Sequence, residues 1–228
     1  MHNSPSTTTT PIAPAPLRVM IYDATCRTAS FKLRGHKRHL PIGLSHSWRA
    51  GAVLYRGWGR LDHTAGFSDW ATALTWLANV EPERPLGSIQ FWGHGRWGHI
   101  LIDKEPLSRT ALSPNHVLHG HLKAIRERLC GPEALWWFRT CETFGAEPGH
   151  HFARTWTDFM ACQAAGHTFV IGPWQSGLHS LKPGATPHWS PSEGLQAGRP
   201  DAPLKAFMSG PRYPHTIHCL QGQVPPGW

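Results

Sequence analysis

The apolar positions of this chain follow two periods that alternate along its middle. The run LRVMIYD (Leu17–Asp23) is short, apolar and branched, the pattern of a buried strand. Residues 26–50 read as a basic loop, and a second short strand is predicted at Val53–Tyr55. Trp70, Ala73, Leu74 and Leu77 then recur at helical spacing behind a Ser68 cap and lead into a strand at Ser88–Trp92. Ser113-Pro114 opens a second helix, with Leu118, Leu122, Ile125 and Leu129 on one face and Gly131 at its end, before a strand at Ala134–Phe138. Phe152, Trp156 and Phe159 mark a third helix, closed by Gly166, before a strand at Thr168–Ile171.

Strands alternating with helices predict an α/β fold with a mainly parallel sheet, right-handed crossovers and helices on both faces. From Gly172 onward the period is lost in a Pro/Gly-rich segment, with one strand expected at Thr216–Leu220. The Ser/Thr/Pro-rich start is read as a disordered lead-in. The organisation is therefore a lead-in at 1–16 and a single domain at 17–228, with a core at 17–173 and a loop-rich wrap at 174–228.

A length of 228 residues suits one well-buried core. Hydrophobic content of 40% against 16% charged residues excludes a disordered chain, and twelve Trp predict a thick aromatic interior. No stretch of about 18 apolar residues is present to span a bilayer, so no membrane role is expected. The five cysteines are odd in number and form no CxxC pair, and the first residues lack a signal-peptide pattern. A reducing cytoplasm is the expected compartment. The net charge of +8 attracts anions without choosing among them. The basic stretch Lys32, Arg34, Lys37, Arg38 lacks interleaved aromatics, so nucleic acid is not the expected partner.

Ligand sites of open α/β sheets form at the carboxyl ends of the strands. There IQFW runs into Gly93-His94-Gly95, and LWWF runs into Arg139-Thr140-Cys141. One helical crossover joins these strands, so they are expected to be parallel neighbours with His94 and Cys141 emerging side by side. An imidazole can generate the thiolate that a cysteine needs for attack. The N–H groups of Gly95 and Cys141 would serve as the oxyanion hole of an acyl transfer.

A hydrophobic strand ending in His-Gly, followed 47 residues later by a second ending in Cys, resembles the clan of caspases, metacaspases, gingipains and separase. The segments SIQFWGHGRWGHILID and ALWWFRTCETFG are similar to caspase-like modules of bacterial proteins, and the resemblance spans about 17–173. The nucleophile's surroundings depart from the caspase pattern: Arg-Thr-Cys-Glu-Thr-Phe-Gly stands in place of Gln-Ala-Cys-x-Gly. The resemblance implies a cysteine endopeptidase with a His94–Cys141 dyad, no cofactor, and a protein or peptide substrate. It further implies that Arg139 lines the pocket for the residue before the cut. Arg27 would stand beside it, and Asp23 would be able to neutralise either arginine. Cleavage after an acidic residue follows as an expectation.

Trp174, with Ser176, His179 and Trp189, is a candidate lining of the cleft. His99 is a rival base to His94. Among the seventeen histidines, His116, His119, His121 and His150-His151 cluster without an acidic or thiol partner, so no metal centre is expected. The alternative function is a non-catalytic caspase-like binding or regulatory module of a bacterial system.

Overall fold

The computed structural model describes residues 14–33, 36–40 and 42–228, with side chains described for 14–28 and 42–228. Residues 1–13 of the expected lead-in lie outside them, as do Arg34 and the side chains of Lys32, Lys37 and Arg38.

Six strands build the central sheet: β1 (Leu17–Asp23), β2 (His63–Phe67), β3 (Leu86–Trp92), β4 (Leu135–Arg139), β5 (Gln163–His167) and β6 (Leu178–Leu181). Their spatial order is β6-β5-β4-β3-β1-β2, parallel throughout except for β6, which runs antiparallel to β5. Four helices accompany them: α1 (Leu44–Gly57), α2 (Trp70–Asn79), α3 (His119–Arg128) and α4 (Ala146–Met160).

Side chains alternate across each strand, so each face gathers its own core. Val19, Ile21, Ile89, Phe91, Trp136 and Phe138 face α2, α3 and α4, which contribute Leu74, Leu77, Leu122, Ile125, Phe152 and Trp156. Met20 and Trp92 look the other way, onto Ala52 and Tyr55 of α1. Beside α1 the same face is closed by the C-terminal segment, with Ile217, Val224 and Trp228 packed on Trp137, Ala165 and Leu178. A parallel sheet needs both faces covered, and here the tail completes the cover.

The chain passes from β1 to β2 in one direction and from β3 to β5 in the other. Right-handed crossovers then put α1 and the remaining helices on opposite faces. The order reverses between β1 and β3, the kind of switch point at whose carboxyl edge open α/β sheets bind ligands.

Several expectations need correction. Val53–Tyr55 is not a strand but part of α1, where Ser45, Ala52 and Tyr55 are buried on one face and Val53 is exposed. The second strand is His63–Phe67 instead. The basic stretch is a two-stranded hairpin, Ala29–Leu33 with His36–Leu40, rather than a plain loop. Asp69, not Ser68, caps α2, accepting from Thr72 N at 2.7 Å. Residues 109–112 form a 3-10 turn and α3 begins only at His119.

The fifth strand is Gln163–His167, not Thr168–Ile171, and Gly166 lies within it. A Cβ at Gly166 would sit 2.6 Å from the Phe144 ring, so that aromatic occupies the space a side chain would need. The tail holds more than one short strand: β6, a hairpin at Leu195–Arg199 with Ala202–Ala206, and the pair Trp174–Gln175 with Ile217–His218. Order also starts before Leu17, because Arg84 donates from Nε and Nη2 to the Ala15 carbonyl at 3.0 and 2.9 Å.

Candidate active site

The register Trp92↔Arg139 of neighbouring parallel β3 and β4 sets the geometry. His94 and Cys141 each lie two residues beyond that pair, at the same edge of the sheet. After Gly93 the chain forms a small antiparallel sheet of His94–Arg96, His99–Ile102 and Glu105–Ser108. After Arg139 it makes the turn Thr140–Gly145 and enters α4.

That turn is fixed from several sides. Glu142 takes a left-handed φ of 53°, and its N–H donates to Phe169 O at 3.0 Å. Phe144 N–H donates to His167 O at 3.0 Å, and the Thr140 and Thr143 hydroxyls share a 2.6 Å hydrogen bond. The His94 hairpin is docked on it: Gly98 N–H donates to Thr143 O at 3.1 Å. At Gly95 a Cβ would fall 2.4 Å from Thr143 Oγ1 and 2.8 Å from Cys141 O, so only glycine permits this approach.

The Cys141 thiol is poised for neither attack nor metal binding in this conformation. Its Sγ accepts from Ile171 N–H at 3.4 Å and lies 3.9 Å from Ile171 O. Burial pushes the thiol up to about 11, and the nearby Glu142 carboxylate adds to the rise. The His94 ring stands edge-on to Trp48 of α1, with centroids 5.6 Å apart. No hydrogen bond joins it to the thiol. The rival base His99 is half-buried on the next strand, and burial lowers its pKa. Glu142 is held above the ordinary carboxyl range by burial.

The predicted specificity residues divide. Arg139 is 2% exposed, and its donors are engaged inside the protein instead of facing a pocket for substrate. Its Nη1 donates to Tyr55 Oη (2.7 Å) and Gln221 O (3.0 Å), and its Nη2 to Gln175 Oε1 and Cys219 O (both 2.8 Å). The guanidinium is also clasped between Trp92 and Trp137, 4.5 and 4.4 Å from their ring centroids. Arg139 thus ties α1 and the tail to the sheet. Asp23 is buried as well and pairs with neither arginine. It accepts from Thr25 N–H (2.8 Å) and Oγ1 (2.6 Å) and takes a longer contact from Cys26 Sγ, anchoring the loop after β1. Arg27 is exposed, with Nε on Ala24 O at 3.2 Å. Trp174 is 44% exposed, whereas Ser176, His179 and Trp189 are buried and line no open cleft.

A cavity of about 400 Å³ adjoins the turn, between Arg96, Trp97 and Glu142 on one side and Lys205, Ala206 and Met208 on the other. Its far wall is the Leu195–Ala206 hairpin, which lacks the apolar alternation that would have exposed it to sequence reading. A larger cavity of about 910 Å³ lies at the amino ends of the strands, by Arg18, Ser88 and Leu135, away from His94 and Cys141.

Three of the clustered histidines engage hydrogen-bond partners. His116 Nδ1 accepts from Leu118 N–H at 3.2 Å, His119 Nδ1 meets Leu112 O at 2.9 Å, and His121 Nδ1 meets Thr75 Oγ1 at 3.3 Å. Among the described residues, the potential metal-ligating side chains that converge are others: His179, Glu193 and His215. All five cysteines are free thiols. Among the described residues no helix is long and apolar enough to cross a membrane. The chain matches no protein-family model, no curated protein and no solved structure.

Proposed function

We propose that this chain is a caspase-like cysteine endopeptidase, with Cys141 as nucleophile and His94 as its base. The observation that carries the reading is the β3–β4 register, which brings an imidazole and a thiol two residues past one cross-strand pair. Parallel neighbours lie about 4.8 Å apart, so the two residues leave the sheet from adjacent positions. The close seat of Gly95 against Cys141 supports it further.

Substrate in the cleft would draw His94 off Trp48 toward the sulfur. His94 would take the thiol proton, and Sγ would attack the peptide carbonyl, with Gly95 and Cys141 N–H groups on the oxyanion. His94-H⁺ would then protonate the leaving amine, and water would release the acyl group. No cofactor enters this scheme. Arg27 is the remaining arginine to favour an acidic residue before the cut. Free thiols fit a reducing cytoplasm.

A second reading, a non-catalytic binding or regulatory module, is favoured by the half-buried thiol, whose pKa, pushed up to about 11 by burial, opposes thiolate formation. Iodoacetamide labelling in the presence of a peptide library separates the two. The enzyme requires Cys141 to become the fastest-labelled thiol at neutral pH, dependent on His94, and Cys141→Ala to abolish peptide cleavage. Cleavage that survives Cys141→Ala refutes the peptidase. Uniform slow labelling of all five thiols supports the module.

A further inference from the structure

Behind the Cys141 turn, and joined to it through Trp189 on Phe144, a buried knot of imidazoles sits at the β6 edge. His179 pairs with Gly166 across β5 and β6, and its side chain is 1% exposed. Its Nε2 is hydrogen-bonded to Glu193 Oε1 at 2.6 Å, and the same oxygen accepts from Thr168 Oγ1 at 2.8 Å. His215, in a turn with a left-handed φ of 46°, brings its ring centroid to 4.8 Å from that of His179. One donor atom from each of the three residues lies within 4.8 Å of the other two. Nδ1 of His179 and Nδ1 of His215 are both buried without a hydrogen-bond partner.

We propose that His179, Glu193 and His215 form a divalent transition-metal site, of the zinc class, that fastens the C-terminal segment to the sheet. Two imidazoles and one carboxylate are a borderline donor set, suited to Zn²⁺ and Co²⁺ and poor for Ca²⁺ or Mg²⁺. Donors of a tetrahedral centre with bonds of about 2.0–2.1 Å stand about 3.3 Å apart, so the group closes by small side-chain shifts. Solvent takes the fourth position. Burial lowers the pKa of His179. Burial opposes the charge on Glu193, but the His179 and Thr168 hydrogen bonds outweigh it and hold the carboxyl below its ordinary range.

The surroundings are also those of a held ligand. Thr168 orients the carboxylate, as outer partners of metal ligands do. Trp189 lies nearly parallel on His179, centroids 4.7 Å apart, and stacks in turn on Phe144 at 5.6 Å. An ordinary His–Glu pair accounts for one hydrogen bond but leaves the buried Nδ1 of His215 without a partner.

The test uses full-length protein stripped with a chelator and titrated with Co²⁺. One equivalent is expected to give visible ligand-field absorption, bleached by one equivalent of Zn²⁺, and Zn²⁺ is expected to raise Tm by several degrees. His215→Asn keeps a residue that tolerates positive φ, and Glu193→Gln keeps shape. Each should weaken Co²⁺ binding by about 100-fold or more and remove the Zn²⁺ shift in Tm. His215→Cys should restore binding and add a sulfur-to-cobalt band, which decides the matter if His215→Asn does not fold. His116→Ala, outside the group, should bind as wild type. Cys141→Ala should too, so this result stands apart from the peptidase reading. No absorption at one equivalent, or absorption undiminished in both His215→Asn and Glu193→Gln, overturns the proposal.

Discussion

Arg139→Met would remove the tie between the sheet, α1 and the tail while leaving an apolar side chain of similar reach. Tyr55 Oη and Gln175 Oε1 would lose their donor, and the carbonyls of Cys219 and Gln221 would be left to share the single proton of the Tyr55 hydroxyl. Leaving a buried acceptor unpaired costs about 1–3 kcal/mol, and two desolvated cation–π contacts contribute about 2 kcal/mol each. Against this stands the desolvation of a cation with no carboxylate among its hydrogen-bond partners, several kcal/mol that methionine does not incur. The balance is a net loss of about 4 kcal/mol, or roughly 8–16 °C in Tm for a chain of this size. Urea unfolding followed by tryptophan fluorescence measures it, since Trp92 and Trp137 clasp the guanidinium. Arg139→Lys should recover less than half, because an ammonium cannot span the same fork of acceptors. A methionine variant within about 0.5 kcal/mol of wild type would refute the argument, since that is the range of an ordinary surface change.

Gly95→Ala would drive a methyl group into Thr143 and the Cys141 carbonyl and should cost about 2 kcal/mol. In the same unfolding assay Gly120→Ala, where a Cβ meets nothing within 4 Å, should instead stabilise the protein slightly. Acid stability should report on His167, which is fully buried, donates from Nδ1 to Ser176 O, and is held down to about 3 by burial first and by Arg139 second. Its folded pKa lies below the ordinary value of about 6.5, so the stability it allows is complete above pH 6.5 and is lost as pH falls toward 3. About 3 kcal/mol should disappear between pH 6.5 and 4 at one proton per unit. His167→Asn should flatten that slope in urea midpoints measured across the range; an unchanged slope contradicts the assignment.

The repeating β-α order was legible because Leu74, Leu77, Leu122 and Ile125 keep a helical period on the face they bury. The Val53–Tyr55 error has a plain cause. A three-residue apolar run fits either period, and the wider stripe through Ser45, Ala52 and Tyr55 contains a serine and an alanine that carry little hydrophobic signal. The fifth strand was expected a few residues too late because Ala164, Ala165 and Gly166 have low β propensity, the glycine being set by the Phe144 ring against it. Of the site, His94 and Cys141 could be placed because strand ends are local features. Arg139 and Asp23 could not, because their partners depend on how distant segments pack. The His179–Glu193–His215 group was hidden for the same reason: its members are spread over 37 residues with no motif spacing between them.

The tail's place over the second face bears on processing. Ile217, Val224 and Trp228 shield Trp137, Ala165 and Leu178. A protease cut between the β6 strand and those residues would let an apolar strip reach solvent whenever the fragment dissociated. Such a strip promotes self-association. Maturation by nicking, if it occurs there, therefore demands that the two pieces stay together, and a preparation that loses the fragment should precipitate.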